Sequence, residues 1–150
     1  MAKKQEKNQA KEQSKETEEQ KEQKLRQAYM ELQMMGQQLK QLQQQIQQVD
    51  AQIEELSQTE AALNEIPKAE TGSEMLAPLA SGIFLKTKLE ENKNVVLNVG
   101  GGTAVEKTIE ETKKLVEDQK KEIVKVREQL AEQFENMSAQ VQTMQLQMGE

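Results

Sequence analysis

The segment MLAPLASGIFLKTKLEENKNVVLNVGGGTAVEK, residues 75 to 107, is the only part of the chain that reads as β-structure, and its reading decides the fold. Met75 to Ala80 forms a first apolar run, ended by Ser81-Gly82. Ile83 to Leu89 is the second, with Ile83, Leu85, Thr87 and Leu89 on one face and Phe84, Lys86 and Lys88 on the other. Period-two alternation rich in β-branched and aromatic residues marks a strand. The polar stretch Glu91 to Asn94 turns the chain into a third run, Val95, Val96, Leu97 and Val99. Gly100-Gly101-Gly102 makes the next turn, because consecutive glycines enter positive φ at little steric cost. Thr103 to Lys107 then closes the second of two consecutive β-hairpins.

Two hairpins alone are marginal in water and must pair with something. Pro78 has no N–H, which puts the first strand at an edge or at a bulge. Unpaired edges are templates for further strands. The unit is therefore expected to be an assembly device, built on Leu76, Ile83, Leu85, Val95, Leu97 and Val99. The plainer alternative is a small β-cap packed on the chain's own helices.

Working outward, a heptad pattern runs up to the β-segment from Leu25. Its a positions are Leu25, Leu32, Leu39, Ile46, Ile53 and Glu60, and its d positions are Ala28, Met35, Leu42, Val49, Leu56 and Leu63. Ten of these twelve are large and apolar, a strong coiled-coil signal. The glutamine-rich run Gln37 to Gln48 is interrupted on schedule by Leu39, Leu42 and Ile46, so it reads as a polar helix exterior. Pro67 ends the predicted helix 25–66, and residues 67 to 74 form a linker.

A second helix, 109–148, follows the β-segment. Thr108-Ile-Glu-Glu111 is a capping box, with the hydroxyl serving the N3 amide and Glu111 reaching back. All its a positions are apolar: Ile109, Val116, Ile123, Leu130, Met137 and Met144. Its d positions are poorer, namely Thr112, Gln119, Val126, Gln133, Gln140 and Gln147. Beyond Leu130 the second apolar row moves to Phe134, Val141 and Met148, which reads as a stutter-like shift of the seam. The two helices match in length, so antiparallel packing pairs Leu63 with Ile109, Leu56 with Val116, and so on to Ala28 with Met144. Parallel dimerisation of each helix separately would leave that match unexplained. The predicted class is thus mainly α with a small β-unit: an antiparallel coiled-coil hairpin flanking two β-hairpins.

Residues 1–24 are almost entirely Lys, Glu and Gln, and read as a charged flexible tail ahead of a domain at 25–150. Only 35% of the chain is hydrophobic and 2% aromatic, too little for a large spherical core but enough for thin helical seams. The net charge of -6 argues against nucleic acid as the main partner. No apolar run has the length of a membrane span, and Met1-Ala-Lys-Lys leads into no signal-peptide core, so a cytoplasmic protein is expected.

The chain has neither cysteine nor histidine, which removes the thiolate and the commonest general base and metal ligand. The glycine triplet lacks the continuation and strand-to-helix context of a phosphate loop. No enzyme, metal or cofactor is expected. The methionines are more informative. Met30, Met34, Met35, Met137, Met144 and Met148 are six of the eight in the chain, and all fall at the end of the predicted helical hairpin remote from the β-segment. Met35, Met137 and Met144 fit a seam, but Met30, Met34 and Tyr29 lie off it. Methionine is flexible and polarizable and suits surfaces that accept many partners. A binding surface is expected there, formed by Tyr29, Met30, Met34, Met35, Phe134, Met137, Val141, Met144 and Met148.

Helix, two hairpins, helix resembles the prefoldin alpha class, in its archaeal form. The resemblance is carried by Met75-Leu-Ala-Pro-Leu-Ala-Ser-Gly-Ile-Phe-Leu85 and by Val96-Leu-Asn-Val-Gly-Gly-Gly-Thr-Ala-Val-Glu-Lys107, the latter similar to that family's Val-Gly-x-Gly turn and following strand. It covers residues 25 to 148, and the charged segment 1–24 is long for the family. The resemblance implies a hetero-hexamer of two alpha and four beta-type subunits whose hairpins join an oligomeric β-barrel. It further implies an ATP-independent chaperone that captures unfolded client proteins at the coiled-coil tips and delivers them to a group II chaperonin. A structural coiled-coil protein or filament-forming prefoldin relative is the alternative.

Overall fold

A computed structural model describes residues 1–149; Glu150, the last residue of the predicted domain, lies outside them. The element order is α1 (Ala2–Glu65), a 3₁₀ turn (Ile66–Lys68), β1 (Glu74–Ala80), β2 (Ile83–Lys88), β3 (Asn94–Asn98), β4 (Ala104–Thr108) and α2 (Ile109–Met148). By its internal contacts the chain divides into a middle unit, Gln48–Glu128, and a terminal unit, Met1–Gln47 with Gln129–Glu150.

The middle unit contains the whole β-segment. β1 and β2 pair antiparallel as one two-stranded sheet, β3 and β4 as another. In the first, Met75 opposes Thr87 and Ala77 opposes Leu85, while Leu76 opposes Lys86 and Pro78 opposes Phe84. Directly opposed side chains share a face, so both faces of this hairpin carry apolar residues. The register slips between Pro78 and Ala80, where proline cannot donate to the ladder. In the second hairpin Leu97 opposes Val105 and Val96 opposes Glu106. Its turn holds Gly100, Gly101 and Gly102 at φ of 100°, 61° and 74°, a left-handed run that only glycine adopts without strain. The Asn98 side chain accepts a hydrogen bond from the Gly100 N–H at 3.1 Å and Thr103 N–H donates to the Gly100 carbonyl at 3.1 Å, closing the turn.

The segment between α1 and β1 is tied back to the first hairpin. Leu89 N–H donates to the Ser73 carbonyl at 2.9 Å, and the Asn92 amide donates to the Ala69 carbonyl at 3.2 Å. α2 begins where β4 ends: Ile109 N–H still bonds the Lys93 carbonyl at 2.9 Å, and the Thr108 hydroxyl accepts from Glu111 N–H at 3.2 Å. The hydroxyl half of the capping box forms; Glu111 makes no side-chain bond back to Thr108 among the described residues.

The helices of the middle unit meet in a cluster of Leu63, Ile109 and Val116, against which Leu56, Ile66 and Val95 pack. Leu63 with Ile109, and Leu56 with Val116, are two layers of the antiparallel register. Glu60, the one charged a position of α1, pairs with Lys120 at 3.2 Å, and Arg127 pairs with Asp50. Thr112 is buried and satisfied, its hydroxyl donating to the Thr108 carbonyl at 2.8 Å.

The seam on α2 corrects the sequence reading. Ile109, Val116, Ile123, Leu130, Met137 and Met144 are covered as expected, but Gln119, Val126, Gln133, Gln140 and Gln147 are exposed, Val126 by 47%. The second covered row is Lys113, Lys120, Arg127, Phe134, Val141 and Met148, spaced by seven throughout. The row therefore does not shift beyond Leu130; it runs at one heptad position from Lys113 onward. Its first three members are basic and half-covered, and Lys120 and Arg127 reach carboxylates of α1.

In the terminal unit the covered positions of α1 are Ala28, Leu32, Met35, Leu39, Leu42 and Ile46, all half-buried. α1 also extends to Ala2, so residues 2–24 of the charged segment form a fully exposed helix. Lys, Glu, Gln and Ala are strong helix formers, and Lys15–Glu19 is one of the oppositely charged i,i+4 pairs that add support.

Candidate functional site

Two surfaces carry the chemistry that the sequence singled out, one in each unit. In the middle unit, Leu76, Ile83, Leu85 and Val99 are exposed, and Val95 and Leu97 are half-buried. Val95 packs against the Leu63–Ile109 cluster, so part of the second hairpin is indeed capped on the chain's own helices. Leu76, Ile83, Leu85 and Val99 have no such cover. Leu79, Phe84 and Val96 are exposed as well; Phe84 lies on the face opposite Leu85 and shares it with Leu76, and Val96 lies on the face opposite Val95 and Leu97. Treating each strand as two-faced would have found Phe84 and Val96. All four strands are sheet edges, since each sheet has only two strands. A hairpin with both edges open and apolar residues on both faces is not stable alone in water; such surfaces and edges recruit further strands.

In the terminal unit, Tyr29, Met30 and Met34 project from α1 with 61%, 67% and 61% of their surface exposed. The other predicted residues, Met35, Phe134, Met137, Val141, Met144 and Met148, are half-buried along the seam. The site residues thus divide into an outward group and a seam group that only partly leaves water. Leu146 of α2, 73% exposed, belongs with the outward group and escaped the sequence reading, because it lies off both seam rows within a glutamine-rich stretch. No residue of this unit is buried among the described residues.

The side-chain hydrogen bond and charge of Asp50 hold the Arg127 guanidinium above its ordinary range, and that pair lies in the middle unit. Among the described residues no group of three or more Asp and Glu is placed to hold a metal ion, and no helix is long and apolar enough to cross a membrane. The arrangement offers apolar contact and unpaired strand edges.

Comparison with known proteins gives the same partition a context. The family model described as "Prefoldin subunit" matches residues 35–150. The prefoldin subunit alpha of Methanothrix thermoacetophila is 42% identical over 62 residues, 41% of this chain and 40% of that protein. Prefoldin subunit 5 of Homo sapiens is 41% identical over 51 residues, 34% of this chain and 33% of that protein. The chain therefore matches well under half the length of these curated relatives. A solved structure titled as a filamentous PFD from Methanocaldococcus jannaschii superposes with a TM-score of 0.61 at 27% identity, covering 71% of this chain and 88% of that one.

Proposed function

The chain belongs to the prefoldin subunit family, and on that premise we propose that it is an alpha-type chaperone subunit, not an enzyme, that holds unfolded polypeptides through its terminal unit. The observation that carries this reading is the outward group Tyr29, Met30, Met34 and Leu146, apolar side chains that the chain itself leaves in water. Each offers small, non-directional contacts, and a single copy binds weakly. Several copies on one body gain avidity of about 10²-fold or more without a specific pocket. Such a surface grips many sequences and lets them go without nucleotide.

The hairpins supply the body. We propose that β1 to β4 join those of four beta-type subunits and a second alpha-type subunit in a hexamer with a β-barrel core, which passes its clients to a group II chaperonin. The exposed residues Leu76, Ile83, Leu85 and Val99 would then be covered by neighbouring hairpins. Native mass measurement of the chain alone and with a beta-type partner tests the assembly. A discrete hexamer formed only with the partner is expected; long homopolymers of the chain alone, as in a filament, would displace the hexamer. Suppression of aggregation of a denatured substrate tests the holding role, and an assembled complex without any such effect would refute it.

A further inference from the structure

The glutamines at the d positions of α2 lie outside the seam, and two of them have a place. Gln133 and Gln140 line a groove between α1 and α2 within the terminal unit. Its floor is Leu42 and Met137, both half-buried. One wall carries Gln38, Gln41 and Gln45, and the other Gln133, Asn136 and Gln140. No charged residue lines it. Both walls repeat the spacing i, i+3, i+7, which aligns three side chains along one side of a helix. Seven residues of helix rise about 10 Å, the length of about three residues of extended chain. The six amides are exposed. The side-chain hydrogen bonds of α1 and α2 involve Ser, Thr, Lys and Arg, and use none of these six amides among the described residues.

A carboxamide donates and accepts hydrogen bonds and carries no charge. It is the side-chain counterpart of the peptide group, with N–H donors and a C=O acceptor that can bond a peptide C=O or N–H. A folded protein has nearly all its buried backbone N–H and C=O groups paired already. An unfolded chain still offers its own, whatever its sequence. We infer that this groove binds the extended main chain of a non-native polypeptide, with Gln38, Gln41, Gln45, Gln133, Asn136 and Gln140 bonding its peptide groups and Leu42 and Met137 receiving an apolar side chain. The inference rests on the holding role proposed above and adds to it a means of selecting the unfolded state itself. The outward methionines grip side chains; the amide walls grip backbone.

Two arms test it on the full chain in its assembled form. The first replaces Gln38, Gln41, Gln133 and Gln140 with Met, which keeps side-chain length and helix propensity and increases apolarity while removing the amides. Binding of a permanently unfolded, carboxymethylated polypeptide is expected to weaken about tenfold or more, since each hydrogen bond contributes modestly. Equal or tighter binding by the variant would show that apolar contact alone holds the client and would overturn the inference. The second arm needs no variant: an extended peptide and its backbone N-methylated analogue are compared on the unaltered protein. The N-methylated peptide is expected to bind several-fold more weakly, and equal binding overturns the inference even should the quadruple variant lose helicity. Failure of the unaltered protein to hold any unfolded chain removes the holding role and the groove together. Holding that survives in the quadruple variant removes the groove alone.

Discussion

The middle and terminal units are built from the same two helices and differ in how much water they exclude. Leu63, Ile109, Thr112 and Val116, the buried residues among those described, all belong to the middle unit, as do the pairs Glu60–Lys120 and Asp50–Arg127. The terminal unit keeps the heptad but fills it with methionine, alanine and half-covered leucine, and surrounds it with glutamine. One part of the chain is specified by packing and charge; the other is left adaptable. That difference suits a protein with one fixed set of partners and one shifting set, since an adaptable surface must keep apolar groups in contact with water until a partner covers them.

The sharpest way to break the comparison is to damage the hairpins without touching the helices. Phe84 and Val96 are exposed, so Phe84→Asp with Val96→Asp adds charge where the isolated chain tolerates it. Buried at a subunit interface, the same two carboxylates would be desolvated and unpaired, which is costly. The proposed hexamer is expected to be lost entirely while helicity by circular dichroism stays at the parent level. An unchanged native mass would show that these faces are not assembly surfaces. Leu97→Asp is a less clean probe, because Leu97 is half-buried by its own chain.

Next in size is the packing contrast itself. Leu63 is only 5% exposed, and Leu63→Ala should cost about 2–4 kcal/mol through lost burial and the cavity left behind. Leu39 is a seam leucine of the terminal unit, at an a position where Leu63 is at d, and it is half-buried, so Leu39→Ala should cost about 1 kcal/mol, nearer the transfer energy of a methylene. Thermal unfolding of the two variants side by side measures the difference. Equal shifts would mean that the terminal seam is as well packed as the middle one.

Much of this division was legible in the sequence, and the failures have physical causes. The hairpins were readable because period-two alternation, Pro78 and three glycines all act locally. The a positions were readable because every one on α2 is apolar. The second row on α2 was not, because Lys113, Lys120 and Arg127 look like solvated residues until the carboxylates of Glu60 and Asp50 are seen opposite two of them. Reading apolar residues alone therefore picked up the row only at Phe134 and mistook its beginning for a shift. The outward methionines were found because they break the heptad. Leu146 breaks it too, but a single leucine among glutamines carries little signal by itself.

A smaller effect on stability, though a large one on function, is expected at the outward group. Tyr29→Ser, Met30→Ser and Met34→Ser together remove side chains that face water, so each should change stability by less than about 0.5 kcal/mol. The oligomer should persist. The amount of denatured substrate kept from aggregating should fall several-fold, because every copy in the assembly loses its contribution at once. A variant that assembles and still protects substrate as the parent does would move the client surface elsewhere.

The smallest expected effect is at Asp50 and Arg127, and it asks what holds the helices of the middle unit in register. The pair is two-pronged, with both guanidinium and carboxylate groups engaged, yet it is exposed. Bidentate geometry favours it, and solvent screening works against it. Its titration on the alkaline side is no probe. Asp50 raises the Arg127 pKa in the folded chain, so the contribution is fully present below the unfolded arginine's pKa and is lost only above any working pH. Charge reversal is the cleaner instrument. Arg127→Asp opposes Asp50 with a like charge, Asp50→Arg does the same with the other sign, and the double variant restores attraction in the opposite sense. Each single reversal should lower the unfolding temperature slightly, by a fraction of the Leu63→Ala effect, and the double variant should recover part of that loss. Raising the salt concentration should shrink all three differences, since exposed charges are screened within about 8 Å at physiological ionic strength. A single reversal as damaging as Leu63→Ala would mean that charge, and not the Leu63–Ile109–Val116 cluster, sets the register of the middle unit.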